Sequence, residues 1–295
     1  MVRSGVELAG LHFGALFALR NTCNMAAMPF SDLALSKRLE RAEGYACVQF
    51  ADARRRLNPE SGAEWMRSAG ADVVFDGIES PVTQTFGLGL FEEITPTALD
   101  VIERFFFDRG APVHHEVSPF AGLATHNLLC TRNYRLCEIG NVLCRPIAQE
   151  DAEIPDSIQV RVVTPAEAQL WAKTNAHGWA QEHPEYEPFF LELGAIICER
   201  QGSPAFLAEI DGEPAAAGSL SIHEGVALFG GAATIPQFRR RGLQTALLHA
   251  RLQYAFERDC DLAMIVAEPG SESQRNAERR GFRVAYTRLK WKLEC

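Results

Sequence analysis

Hydrophobic positions change period repeatedly along this chain, and each change marks an element. Over residues 29–57, Leu35, Leu39, Ala42 and Ala46 recur at helical spacing, behind Ser31 or Asp32 as cap. Short extended runs follow at 63–68 and 72–75, closed by a turn at Asp76-Gly77. Residues 83–91 read as a strand, with Gly87-Leu88-Gly89 as a bulge. A helix is predicted over 95–109, capped at Thr95 with Pro96 in its first position and stopped at Gly110. Val113–Val117 is a strand, 120–130 a helix and 134–143 a strand.

Two prolines and four acids then fall within residues 146–157, the composition of a linker. A second series follows it. Strand 158–163 leads into helices at 165–179 and 186–200. Ala205–Ile210 and 214–222 form a hairpin around Asp211-Gly212. Val226–Thr234 is a strand, 241–258 a helix, 261–267 a strand, 271–280 a helix and 282–293 a strand. The two halves end in the same order of elements. Arg132-Asn133-Tyr134-Arg135 precedes one last strand as Arg280-Gly281-Phe282-Arg283 precedes the other, so a duplication is expected. The expected division is a first domain at 29–146, a linker at 147–157 and a second domain at 158–295. Residues 1–28 are read as an extension, with Met25 or Met28 as an alternative start.

With 295 residues, either half is long enough to bury a core. The net charge of −9 argues against a general nucleic-acid binder, which needs a positive field. The apolar run at 6–19 is shorter than the roughly 20 residues a spanning helix needs, so no membrane role is expected. Eight cysteines form no C-x-x-C pair and no zinc spacing. They read as free thiols in a reducing cytoplasm. His114-His115-Glu116 alternates across a strand, with His114 and Glu116 on one side and His115 on the other, so no metal is expected there.

The stretch that carries chemistry is 229–248. A strand ends at Thr234, Pro236 stops its continuation, and Arg239-Arg240-Arg241-Gly242 makes a cationic turn before a helix. Leu243, Ala246, Leu247, Ala250 and Tyr254 share one face of that helix, blurred by Arg251 and Glu257. Strand, glycine turn and helix together aim backbone N–H groups at one spot, and arginines add charge there. The plainer alternative is a solvated arginine turn opening an ordinary helix.

This stretch resembles the phosphate-binding signature of the GNAT superfamily of acetyl-CoA-dependent N-acetyltransferases. That signature is Arg/Gln-x-x-Gly-x-Gly/Ala, and this chain has Arg239-x-x-Gly242-x-Gln244, departing at the last position. A helix ending in Gly281-Phe282 before a strand is the second family mark. The resemblance covers about residues 158–293 and is similar to a bacterial subgroup whose N-terminal half is a degenerate copy, with chains beginning near Met28.

The resemblance implies an α/β fold of two tandem GNAT-like domains, each a mixed central sheet flanked by helices. It implies that Ala232, Ala233 and Thr234 pair their backbone with the pantetheine arm of acetyl-CoA, the co-substrate. Arg239, Arg240, Arg241, Gly242, Leu243, Gln244 and Thr245 would hold the pyrophosphate. The thioester carbonyl would accept an N–H near Ala232. The family's usual base and acid positions are Ile265 and Ala277 here, so neither is ionisable. Glu268 and Tyr286 are the named catalytic candidates, with His223, Ser271 and Ser273 nearby. His177, Trp179, Glu182, His183, Glu185 and Tyr186 fall where the fold lines its acceptor pocket, or form a solvated loop. In the first half, Glu92-Glu93 stands where the arginine turn would be, so no CoA is expected to bind there. The expected activity is acetyl transfer to a primary amine of a small molecule or a peptide N-terminus. The alternatives are a non-catalytic acyl-CoA-binding or sensor protein, and an interaction module built on the first half.

Overall fold

The computed structural model describes residues 27–149, 153–179 and 187–294. Residues 1–26 of the expected extension, the middle of the expected linker and residues 180–186 lie outside the described residues.

In chain order the first half comprises α1 (Leu33–Leu57), β1 (Glu64–Ser68), β2 (Ala71–Phe75), β3 (Gln84–Phe86), α2 (Pro96–Phe107), β4 (Val113–Val117), α3 (Gly122–Thr131) and β5 (Arg135–Pro146). The second comprises β6 (Ile158–Val162), α4 (Ala168–Trp179), α5 (Glu187–Glu199), β7 (Ala205–Ile210), β8 (Glu213–His223), β9 (Val226–Thr234), α6 (Leu243–Phe256), β10 (Leu262–Ala267), α7 (Glu272–Arg279) and β11 (Arg283–Leu293). No helix among the described residues is long and apolar enough to cross a membrane.

The eleven strands of the described residues form one mixed sheet in the order β1-β2-β3-β4-β11-β5-β10-β9-β8-β7-β6. Each half supplies one parallel pair, β3 with β4 and β9 with β10. The halves exchange their last strands. β4 pairs with β11 rather than with β5, and β10 pairs with β5 rather than with β11. The exchanged strands pair antiparallel at the centre, from Arg283 opposite Cys144 to Lys292 opposite Arg135, which makes a local two-fold relation between the halves.

Helix ends repeat under that relation. α3 closes through Asn133 at φ 62° and Tyr134 N–H donating to Leu129. α7 closes through Gly281 at φ 86° and Phe282 N–H donating to Ala277. α2 and α6 close likewise, at Gly110 and Asp259. These are the left-handed caps that tie a helix end to its own last turn. They support the expected duplication at the level of local geometry.

α6 and α7 cover one face of the second half, where Phe229, Leu243, Leu247, Ala263, Ala277 and Phe282 form the largest core. α2 and α3 cover the same face of the first half, around Leu99, Phe106, Val117 and Leu129. The opposite face curls around α1. Asp32 caps this helix by accepting the Leu35 N–H. Gly44 lies against Asp72 and Phe86 on one side, and Tyr45 stacks on His223 at 4.2 Å on another. Below, Leu35 and Leu39 pack on Leu262 and Met264.

Enclosure on three sides buries Glu40 completely. Its carboxylate accepts the Tyr286 hydroxyl at 2.9 Å and lies 3.3 Å from Arg288, which also meets Glu43 at 2.5 Å and Glu116 at 2.8 Å. Burial holds the Glu40 carboxyl up at about 7, against the pull of Arg288.

Candidate functional site

β9 and β10 run parallel and pair only through Val226–Leu228 and Leu262–Met264. Beyond that they part, and among the described residues the end of β9 has no ladder partner on the β10 side. Across from β8 the register slips: Ser219 opposes Gly230 and Ala217 opposes Ala233. Gly231 and Ala232 therefore face Gly218 alone, as a bulge with Gly231 at φ 58°. The splay and the bulge meet at Ala232.

After Thr234 the chain makes a single turn at Pro236–Phe238 and reaches the arginines. Arg240 at φ 63° and Gly242 at φ 90° both take the left-handed conformation, and α6 starts at Leu243 rather than at Arg241. Gly242 is the N-cap and supplies no side-chain acceptor, so the first-turn N–H groups of α6 have no side-chain cap. Leu243 faces the core, which leaves only its N–H to the turn.

Side chains tie the turn together. Arg239 bends back, donating to the carbonyls of Gly178 at 3.1 Å and Thr234 at 3.4 Å. It thereby joins the turn to the end of α4. Arg240 is exposed, and Arg241 lies over the Phe238 ring and 3.7 Å from Asp211. Gln244, which stands where the family has a small residue, donates to Thr234 Oγ1 at 2.7 Å. Arg280, not singled out from sequence, reaches back from the end of α7 to Thr245 Oγ1. Its only sequence signal was its place before Gly281.

Among the catalytic candidates, Glu268 is exposed just past the end of β10. Ser271 caps α7 and Ser273 is exposed on its first turn. His223 pairs with Val226 at the far end of β9, stacked on Tyr45, so it is not brought to the splay. Tyr286 is not brought there either. It lies two strands from β10, buried, with its proton held by Glu40 and Phe120 against its ring. Burial and the Glu40 charge hold its hydroxyl well above the ordinary range. Ile265 and Ala277 both pack into the α6–α7 core.

α4 approaches β9 closely at Gly178. A Cβ there would sit 2.5 Å from the Ala233 Cβ and 3.1 Å from the Thr234 N. Gly178→Ala should therefore cost about 1–3 kcal/mol, the usual range for overpacking, and loosen the Arg239 contact. Chemical denaturation with coincident fluorescence and circular dichroism probes would measure it, and an unchanged midpoint would contradict the packing. At the same helix end His177 lies 3.4 Å from Glu187, and Trp179, half exposed, stacks near Phe190. Glu182, His183, Glu185 and Tyr186 lie outside the described residues.

The first half has no such opening. β3 and β4 pair only through Thr85 and Phe86. The chain then turns at Gly87 and Gly89, and buried Leu88 and Leu90 fill the space beyond. α2, the counterpart of α6, is capped by Thr95 Oγ1 accepting the Ala98 N–H at 3.1 Å. Pro96 removes a further N–H, and Glu92 and Glu93 are exposed before it. In the expected histidine motif, His115 meets Tyr134 while Glu116 meets Arg288 across the sheet. No group of three or more His, Cys, Asp or Glu among the described residues could hold a metal ion.

A splayed parallel pair leads through a cationic turn to an uncapped helix N-terminus, an arrangement suited to an anion. The sequence profile of the Acetyltransferase (GNAT) family matches residues 167–282. Among solved structures, a GCN5-related N-acetyltransferase from Kribbella flavida superposes with a TM-score of 0.57 at 19% identity, covering 83% of this chain and 95% of its own. A GCN5-related N-acetyltransferase from Sphaerobacter thermophilus gives 0.50 at 16% identity over 88% and 93%. A tandem GNAT protein from the clavulanic acid biosynthesis pathway gives 0.51 at 16% identity over 67% and 69%. No curated protein sequence matches the chain. Residues 167–282, within the second half, thus match the GNAT family, whose chemistry is acyl transfer from coenzyme A to an acceptor.

Proposed function

We propose that this protein transfers the acetyl group of acetyl-CoA to a primary amine of a small molecule or a peptide N-terminus, at one site between β9 and β10. The contrast between the two related helix N-termini supports this reading most: α6 opens uncapped behind three arginines, whereas α2 is capped behind two glutamates. The pyrophosphate would lie on the N–H groups of residues 240–245, with Arg240 and Arg280 as counter-charges. Ala232–Thr234 would add the pantetheine arm to β9 as an extra strand. The name N-acetyltransferase carried by the structural neighbours favours an amine as acceptor.

In the reaction the neutral amine nitrogen attacks the thioester carbonyl carbon. The carbonyl oxygen takes the negative charge, and its collapse expels the thiolate. The amine's proton leaves to water, and the thiolate takes a proton from water. Ile265 and Ala277 offer no proton transfer, and Glu268 is exposed, so orientation of the two substrates supplies the acceleration. The rate should rise with pH towards the amine's own pKa. Glu268→Gln should cost less than the roughly 10²-fold expected for loss of a general base. An acidic limb near neutrality, abolished by one substitution, would show a dedicated base.

Titration calorimetry should give one CoA per chain, and two would refute the assignment of the first half. Thiol release from acetyl-CoA with a panel of amines tests the transfer itself. Binding without release for any amine would favour the second reading, a non-catalytic acyl-CoA binder, which the apolar Ile265 and Ala277 motivate.

A further inference from the structure

Two buried side chains, one on each face of the sheet, hold successive carbonyls of the β9 bulge. Asn175 of α4 donates its Nδ2 to the Gly231 carbonyl at 2.5 Å. On the other face, Arg251 of α6 donates to the Ser219 carbonyl at 3.1 Å and to the Gly230 carbonyl at 3.5 Å, which Ser219 Oγ also approaches at 3.1 Å. Both residues are buried, Asn175 with 5% and Arg251 with 3% of its surface exposed.

A trans peptide points its N–H opposite to its C=O. Fixing the Gly230 carbonyl therefore fixes the Gly231 N–H, and fixing the Gly231 carbonyl fixes the Ala232 N–H. Neither residue has a ladder partner on β10 to set it otherwise. Gly218 shows that the arrangement is built: a Cβ there would lie 3.1 Å from the Arg251 Cζ and Nη1, so its lack of a side chain makes room for the guanidinium. No carboxylate among the described residues pairs with Arg251, and the Phe229 ring lies 5.1 Å from it. Burial lowers its pKa to about 10, and at neutral pH it stays charged. A buried, unneutralised cation thus stands directly behind the bulge.

We infer that Arg251 and Asn175 are positioning residues for the acyl carbonyl: they aim the Gly231 and Ala232 N–H groups at the thioester oxygen, and Arg251 adds a fixed positive field as that oxygen becomes negative. Preorganised donors and charges in a dry site act on developing charge without reorganising. The inference rests on the acetyl-CoA site proposed above. A residue that only filled space at Arg251 would do neither.

Isotope-edited infrared spectra of [1-13C]acetyl-CoA bound to the protein separate the two. On the wild type the thioester carbonyl stretch should move to lower frequency than in free acetyl-CoA. Arg251→Met and Asn175→Leu should each lose the greater part of that shift while desacetyl CoA binds as before, and Arg251→Lys should regain part of it. Where an acceptor supports turnover, kcat should fall about 10–100-fold with KM for acetyl-CoA little changed. The two substitutions act from opposite faces, so if one variant fails to fold the other still decides. A wild-type shift retained in the folded variants would overturn the inference while leaving the site intact. A wild type that does not bind acetyl-CoA would overturn the site and the inference together.

Discussion

Gly242→Asp is expected to reduce CoA affinity at least tenfold while leaving the fold intact. The glycine sits at φ 90° as N-cap of α6, and no side chain among the described residues caps the first-turn N–H groups. An aspartate would bond those groups itself and place a negative charge where the pyrophosphate must lie. Each charge-assisted bond lost is worth roughly 1.5–3 kcal/mol, and 1.4 kcal/mol is a factor of ten. Stability should change little. The left-handed conformation costs an L residue about 1–2 kcal/mol, and a new aspartate cap returns about 1 kcal/mol. Titration calorimetry with CoA, beside a thermal melt, reads both quantities. Unchanged affinity would mean that the anion site lies elsewhere.

The turn was readable because its parts are local. Pro236, three arginines and Gly242 each restrict or charge the backbone over a few residues, and the helix that follows has its own apolar stripe. Val113–Val117, Ala205–Ile210 and Val226–Thr234 are strands to the residue for the same reason: apolar runs bounded by turn residues. Where a boundary moved, a positive φ moved it. The strand expected over 83–91 stops at Phe86 because Gly87 and Gly89 both turn left-handed, and the space the strand would have opened is filled.

The exchange of β5 and β11 left no local mark. Alternation fixes which side chains share a face, and it is silent on which strand lies alongside, so tandem halves with private sheets were the natural reading. The actual neighbours decide the role of Tyr286. Read as a catalytic candidate, it instead faces α1 across the central strand pair. Arg251 likewise interrupted an apolar stripe in the sequence, and only the fold shows that Gly218 makes room for it.

The same exchange creates the largest expected stability effect. β11 carries Arg288 and Lys290 between Glu40 and Glu43 of α1 and Glu116 of β4, with Tyr286 bordering the group. Glu138, exposed and 3.4 Å from Lys290, adds a fourth carboxylate, so four carboxylates face two cations, and the most buried of them, Glu40, is the one whose proton is held, up to about 7. Arg288→Met removes the guanidinium that Glu40, Glu43 and Glu116 share. Breaking a buried pair from one side costs about 3–5 kcal/mol, a large part of the 5–15 kcal/mol that holds a typical domain. Denaturant unfolding near neutral pH should show that loss. It should shrink on acidification, because Glu40 and Glu116, both raised by burial, take up protons in the folded state before the unfolded chain does. In the wild type the sign is the same. A carboxyl raised above its unfolded value of 4.5 stabilises fully below that pH, and its contribution declines as pH rises through about 7. Glu40→Gln, which removes the most buried carboxyl and leaves Glu43 and Glu116 on Arg288, should flatten that decline and make the chain more stable than wild type at pH 8. A variant less stable than wild type at pH 8, with the wild-type slope retained, would show that Glu40 is ionised in the fold and that the surplus charge is held elsewhere.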